Sequence, residues 1–173
     1  MPLPLFWIGA GVTSVLLGQQ FHKENQRRDQ RVRVFPGEDK TAVQPIDGSL
    51  VSCGIYGLFE HTGIWVDGQI IELKGNGLIR AISPERFLKE RSGSTIYVAC
   101  GADLKPLVSP DAMANAIGNI FHYADYHVLN NNCHRFSWRC LSSLNEPVVK
   151  FADLNKKLSQ LFKQAVHWQP CLK

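Results

Sequence analysis

Paired cysteines, a strong net charge and internal repeats are all missing from this chain of 173 residues. Its five cysteines are odd in number and widely spaced, with no Cys-x-x-Cys pair, which argues against both a zinc site and a disulfide scaffold. The formal net charge is only +4, and no pattern of interleaved basic and aromatic residues suggests a nucleic-acid partner. We therefore expect reduced thiols, no metal, no cofactor and no bound nucleic acid.

What is present is enough apolar sequence for one ordinary domain and an appendage. Apolar residues make up 45% of the chain, so its composition is not that of a disordered protein. Short β-type segments bracketed by helical ones predict an α+β fold, with an antiparallel sheet packed against helices. We place this domain at residues 43–146.

The N-terminal segment is apolar and is followed at once by basic residues. Leu3 to Leu17 carries no charge, and Lys23, Arg27, Arg28, Arg31 and Arg33 come next. We interpret residues 1–21 as a hydrophobic membrane anchor, spanning or interfacial, and residues 22–42 as a basic juxtamembrane linker. The basic flank predicts that the domain at residues 43–146 is cytoplasmic. A soluble core helix is the alternative.

Turn and cap residues divide the rest of the chain into short elements. Ser83-Pro84 and Ser109-Pro110 each predict a helix start, the second helix running through Phe121. Residues 147–173 predict an amphipathic helix followed by a tail, with the helix packed on the domain or on a membrane surface or partner. Strands are predicted at Leu50–Cys53, Leu78–Ile82, Thr95–Cys100 and Tyr126–Leu129.

A candidate nucleophile lies between that last predicted strand and a helical segment. Three asparagines end at Asn132, Cys133 follows, and asparagine favours turns and helix N-caps. Cys133 is therefore predicted at a helix N-terminus, where unpaired N–H groups and the helix dipole favour a thiolate. A buried, inert cysteine is the alternative.

A candidate base and its partner lie in a predicted β-hairpin. The turn falls at Asp67-Gly68, His61 opens the first strand, and Glu72 lies near the end of the second. Because the far ends of two antiparallel strands are neighbours, the imidazole and the carboxylate are expected to meet. With Cys133 they would form a set of nucleophile, base and orienting group.

These pieces together resemble a known family. The segment His61-Thr62-Gly63-Ile64-Trp65-Val66 and the distant Asn132-Cys133 with Phe136 are similar to the lecithin:retinol acyltransferase family. That family is the circularly permuted branch of the NlpC-type papain-like cysteine hydrolases. The resemblance covers about Pro45 to Leu144, with two departures. Relatives have a second histidine where this chain has Glu72, and Cys-Glu-His-Phe where it reads Cys133-His134-Arg135-Phe136.

The resemblance implies a permuted papain-like fold and a membrane-associated acyltransferase or acyl hydrolase working through a thioester on Cys133. It implies a lipid or acylated small molecule as substrate. It also implies that a histidine in place of Glu72 would support the same chemistry. We expect His61, Glu72 and Cys133 to be catalytic, and Asn132 and His134 to contact substrate or the oxyanion. An amide-bond hydrolase and a catalytically inactive, membrane-tethered interaction module are the alternatives.

Overall fold

The computed structural model describes residues 18, 20–55, 59–89 and 91–172. A helix, α1, covers residues 20–28. The other helices are α2 (Pro84–Leu88), α3 (Ala112–Ile117), α4 (Cys133–Ser142) and α5 (Phe151–Phe162). The strands are β1 (Val32–Val34), β2 (Leu50–Ile55), β3 (Phe59–Val66), β4 (Gln69–Leu73), β5 (Ile79–Ile82), β6 (Tyr97–Cys100) and β7 (Val166–Pro170).

One seven-stranded sheet, in the order β1-β7-β6-β2-β3-β4-β5, organises the chain, and the prediction of an α+β fold with helices on a sheet is confirmed. Every neighbouring pair is antiparallel except β1 and β7, which are parallel. The expectation of a purely antiparallel sheet was therefore wrong at this edge. β1 lies in the segment interpreted as a linker. Val32 and Phe35 are buried there, but the many charged residues around them gave the segment the composition of an exposed linker.

The C-terminal segment is also part of the sheet. Helix α5 buries Leu154 and Leu158, which confirms an amphipathic helix packed on the domain. Beyond it, β7 lies between β1 and β6, and Trp168 is fully buried with its indole N–H donating to Asn155 Oδ1 at 3.0 Å. The sheet thus extends past both ends of the range 43–146.

Alternation along the strands produces two apolar clusters, one on each face of the sheet. The larger cluster joins Ile64 and Ile71 to helices α3, α4 and α5. The smaller one joins Trp65 and Ile70 to Phe87 of α2. Side chains of β3 therefore face α4 and α2 alternately, and residues from both faces of this strand belong to the candidate site.

The predicted hairpin is confirmed. Asp67 and Gly68 have φ angles of 47° and 70°, which fits the two-residue turn that matches strand twist. The register pairs Gly63 with Glu72. A side chain at position 63 would crowd β4, because an added Cβ would lie 2.6 Å from Ile70 Cγ2.

Two local predictions were wrong. Tyr126–Leu129 is not a strand, because the His127 N–H donates to Asn131 O and closes a turn instead. Helix α3 ends at Ile117, well before Phe121, and Phe121 has a left-handed backbone with φ 68°.

The predicted anchor, residues 1–21, lies almost wholly outside the described residues. Within the part of the chain that the structure describes, no helix is long and apolar enough to cross a membrane.

Candidate active site

Helix α4 begins at Cys133, as the asparagine run predicts. Asn132 has an extended backbone (φ −112°, ψ −177°), and its side-chain oxygen accepts from the Arg135 N–H at 3.0 Å. This is an N-cap, which satisfies one of the free amides of the first turn. The cap fixes the point where the chain turns into the helix and so fixes the position of the Cys133 side chain.

Asn132 serves this anchoring role with its whole side chain. Its amide nitrogen donates to Val128 O and Val149 O, both at 2.8 Å, so both amide hydrogens are used. The side chain is 4% exposed. It therefore has no spare donor for an oxyanion, although the sequence suggested one. Asn132 ties the start of α4 to the loops on either side of it.

His61 and Glu72 meet as the hairpin geometry predicts. Their closest atoms, Nε2 and Oε2, are 2.8 Å apart, and both side chains are buried. An ionised carboxylate only accepts hydrogen bonds, so the Nε2 atom of His61 must carry the proton. The other ring nitrogen, Nδ1, is then free to exchange a proton with a neighbour, as a general base requires.

Two arginines hold Glu72 from its other sides. Arg80 donates to Oε1 through Nε at 2.9 Å and Nη2 at 2.7 Å, and Arg91 Nη2 donates to Oε2 at 2.7 Å. Burial raises the pKa of Glu72, but the bonds and charges of His61, Arg91 and Arg80 outweigh it and lower the pKa to about 2. Glu72 is therefore ionised at every physiological pH.

Cys133 and His61 form a coupled acid–base pair. Burial raises the pKa of the Cys133 thiol, but the nearby positive charges of His134 and His61 hold it well below 9.0. Burial lowers the pKa of His61, yet the Cys133 thiolate and Glu72 together raise it above 6.5. The two directions favour a thiolate–imidazolium pair near neutral pH.

Three other cysteines show the opposite behaviour. Burial raises the pKa of the thiols of Cys53, Cys100 and Cys140 to about 12. Burial also raises the pKa of Cys171. Cys133, at the start of α4, is therefore the one cysteine of the five whose thiol pKa is lowered, because the surrounding charges outweigh the effect of desolvation.

His134 adjoins the same sulfur. Its Nδ1 lies 3.9 Å from Cys133 Sγ and 3.2 Å from Thr62 Oγ1. The Ser137 hydroxyl donates to Thr62 Oγ1 at 3.1 Å. The sequence suggested a contact of His134 with substrate, whereas the structure gives it contacts with the thiol and with β3.

The first turn of α4 also supplies free donors. The backbone N–H groups of Cys133 and His134 have no acceptor among the described residues. They point along the helix axis towards its N-terminus, as first-turn amides do. Such a pair of amides beside a nucleophile can hold a developing oxyanion.

Sequence reasoning missed the groups that support these residues. Arg80 was within reach of prediction, because β4 and β5 pair Glu72 with Arg80 across a short turn. Arg91 follows α2, and no pattern in the sequence connects it with Glu72. Thr62 was not predicted either. It follows His61 in β3, and because alternate residues of a strand point to opposite faces, the pairing of His61 with Glu72 gave no information about the side chain of Thr62.

Comparison with protein-family models, with curated proteins and with solved structures finds no match for this chain. Among the described residues there is also no group of side chains placed to hold a metal ion. The chemistry of the site must therefore be argued from its own geometry.

Proposed function

We propose that the protein is a thiol enzyme that transfers or hydrolyses an acyl group through a thioester on Cys133. The observation that carries this proposal is the coupling of three buried groups: a cysteine with a lowered thiol pKa, His61, and the ionised Glu72. A carboxylate bonded to an imidazole, and a thiol whose pKa that imidazole lowers, are the parts of a cysteine nucleophile with an oriented base.

The first half-reaction forms the thioester. Proton transfer from the Cys133 thiol to His61 Nδ1 produces the thiolate, and its sulfur attacks the acyl carbonyl carbon. The Cys133 and His134 N–H groups donate to the carbonyl oxygen as it becomes negative, a contribution worth a few kcal/mol of barrier in comparable sites. When the tetrahedral intermediate collapses, His61 gives its proton to the leaving oxygen or nitrogen.

The second half-reaction reverses these proton transfers. An acceptor, either water or an alcohol or amine, loses a proton to His61 Nδ1 and attacks the thioester carbon. The carbon–sulfur bond breaks, and the Cys133 thiolate leaves. Throughout the cycle Glu72 accepts the Nε2–H bond of His61, so it holds the ring and offsets the charge of the imidazolium.

The resemblance to the lecithin:retinol acyltransferase family supports a lipid acyl donor and a permuted papain-like fold. In that branch the histidine precedes the cysteine in the chain, and here His61 and Glu72 precede Cys133. The proposed site then works at a bilayer, with residues 1–21 as the anchor and the catalytic domain on the cytoplasmic side. Removal of residues 1–21 is expected to move the protein from the membrane pellet to the supernatant.

Product analysis tests this proposal. The protein is incubated with phosphatidylcholine–phosphatidylethanolamine vesicles, and released or transferred acyl chains are quantified by mass spectrometry. We expect turnover by the unmodified chain and by His127→Gln, an exposed histidine in a nearby loop, and none by Cys133→Ala. Cleavage of peptide amides with intact lipids would favour the amide-hydrolase alternative. No turnover of either class would favour an inactive interaction module.

A further inference from the structure

Cys133 has a second imidazole beside it, and the acyl-transfer scheme gives that ring no role. The His134 ring is 7% exposed and packs against Phe151 with ring centroids 5.8 Å apart. Its Nδ1 lies within reach of both Cys133 Sγ (3.9 Å) and Thr62 Oγ1 (3.2 Å). A buried ring held by packing and by a hydrogen bond has a fixed orientation, and here that orientation turns Nδ1 towards the sulfur.

A buried chain of hydroxyl groups fixes this nitrogen further. Ser137 and Thr62 are both fully buried, and the Ser137 hydroxyl donates to Thr62 Oγ1 at 3.1 Å. Thr62 Oγ1 then has one lone pair and one hydrogen left for other partners. It can accept a hydrogen from His134 Nδ1, or it can donate its own hydrogen to that nitrogen.

The charge on the sulfur decides between these two arrangements. If Thr62 donates to Nδ1, that nitrogen has no hydrogen and the thiolate faces only ring electrons. If Nδ1 carries the hydrogen, it can share it between Thr62 Oγ1 and the thiolate, and both contacts are attractive. A charge-assisted bond to a thiolate is the stronger of the two, so the second arrangement is favoured when Cys133 is ionised.

We propose that His134 is a second stabilising imidazole for the Cys133 thiolate, which receives hydrogen bonds from His61 on one side and from His134 Nδ1 on the other. This inference rests on the proposed role of Cys133 as the nucleophile. His134 contacts the reacting sulfur, whereas Thr62 and Ser137 act through His134 and are positioning residues.

The imidazoles of His61 and His134 have different roles because their hydrogen-bond partners differ. His61 is bonded to a carboxylate, which offsets its charge and lets it gain and lose a proton. His134 is bonded to a neutral hydroxyl. The charge of His134 also reaches the carboxyl of half-buried Glu60, where it opposes the rise in pKa that burial causes. His134 is thus suited to keep its Nδ1 hydrogen while His61 shuttles protons.

The other ionisable groups around the sulfur do not replace this contribution. Burial raises the pKa of Cys53 on β2 and of Tyr126 in the preceding loop, so both remain neutral near pH 7. The charge of Arg91 acts to lower the pKa values of His61 and Glu72, and the charge of Lys23 acts to lower the pKa of Glu60. At the thiol itself, the positive charges of His134 and His61 favour the ionised form against the effect of burial.

The pH dependence of thiol alkylation tests the proposal without any substrate. Iodoacetamide is added over a range of pH values, and modification of Cys133 is followed by peptide mass spectrometry. His134→Gln keeps a polar side chain but removes the imidazole and its Nδ1. We expect the midpoint of its rate profile to rise by about one pH unit, which means about tenfold slower alkylation below the midpoint. A purely structural residue would change the thermal midpoint and leave this profile unchanged.

Matched variants at Thr62 guard against a folding defect in His134→Gln. Thr62→Val removes the hydroxyl at nearly constant shape, and Thr62→Ser keeps it. We expect Thr62→Val to move the alkylation midpoint in the same direction as His134→Gln, by a smaller amount, and Thr62→Ser to match the unmodified protein. His127→Gln controls for loss of a histidine outside the site.

The possible outcomes separate this inference from the proposed function. A low alkylation midpoint in the unmodified protein that neither His134→Gln nor Thr62→Val changes would overturn the role of His134 and leave the nucleophile intact. An ordinary midpoint, close to that of a free thiol, would overturn the nucleophile and with it both proposals.

Discussion

Replacing Glu72 with glutamine removes the charge at the centre of the buried cluster while keeping its shape. The carboxylate is fully buried and accepts four hydrogen bonds, one from His61, two from Arg80 and one from Arg91. A glutamine offers one oxygen and brings an amide group that is itself a donor. At least one of the surrounding donors would therefore lose its acceptor, and two guanidinium groups would lose their counter-charge.

The size of the effect follows from the pKa of Glu72. The fold lowers that pKa from 4.5 to about 2, and each unit corresponds to about 1.4 kcal/mol, so the ionised carboxylate contributes about 3 kcal/mol at pH 7. Removing one partner of a buried ion pair costs a similar amount, about 3 to 5 kcal/mol. For a chain of this length we expect the thermal midpoint of Glu72→Gln to fall by about 6–12 °C.

The sign of the pH dependence provides the decisive comparison. A carboxyl whose pKa is lower in the folded state stabilises the protein above its unfolded pKa, and this stabilisation is lost as pH falls through 4.5 towards 2. The difference in unfolding free energy between the unmodified protein and Glu72→Gln should therefore be largest at pH 7 and less than half as large at pH 3.

Urea unfolding followed by tryptophan fluorescence measures this difference, and Glu85→Gln, an exposed glutamate on α2, is the matched control. The turnover of Glu72→Gln should also fall by about ten- to a thousandfold, because His61 loses the charge that stabilises its protonated form. An equal stability difference at both pH values, or full activity in Glu72→Gln, would refute this account of the cluster.

Three further predictions concern the nucleophile helix and the hairpin. A thiol alkylator near neutral pH should label Cys133 faster than the other four cysteines, and uniform labelling, or labelling that ignores His61→Ala, would contradict the lowered thiol pKa. Asn132→Ala should lower the unfolding free energy by about 1–3 kcal/mol and slow the alkylation of Cys133, because it removes the cap and two buried hydrogen bonds; an unchanged urea midpoint would contradict this role. Gly63→Ala should destabilise the protein, since the added Cβ would lie 2.6 Å from Ile70 Cγ2, whereas Gly75→Ala, where a Cβ meets nothing within 4 Å, should not destabilise it through crowding; equal thermal midpoints would show that the hairpin can relax.

The core of the site could be predicted because it depends on local signals. A two-residue turn sets the register of a hairpin, and an asparagine before a helix sets where that helix begins. Those two rules were enough to place His61 near Glu72 and Cys133 at the start of α4. The prediction failed for Tyr126–Leu129, where side-chain and backbone bonds close a turn and outweigh β-type composition.

The missing parts of the site depend on packing that no local signal carries. β7 pairs with β1 across most of the chain length, so the sheet edge was not visible in either segment alone. The two arginines on Glu72 also change an expectation drawn from the family resemblance. Histidine at position 72 would face two guanidinium groups without a negative charge, and we now expect Glu72→His to be no more active than Glu72→Ala.

The most direct test of the proposed chemistry is the mass of the protein after exposure to mixed lipids. The thioester mechanism predicts one added acyl group on Cys133, removable by hydroxylamine as a thioester is, with none on Cys133→Ala and much less on His61→Ala. The mass of the adduct would also identify the acyl chain. An unmodified Cys133 under conditions of turnover, or an adduct that persists in Cys133→Ala, would contradict the thioester mechanism.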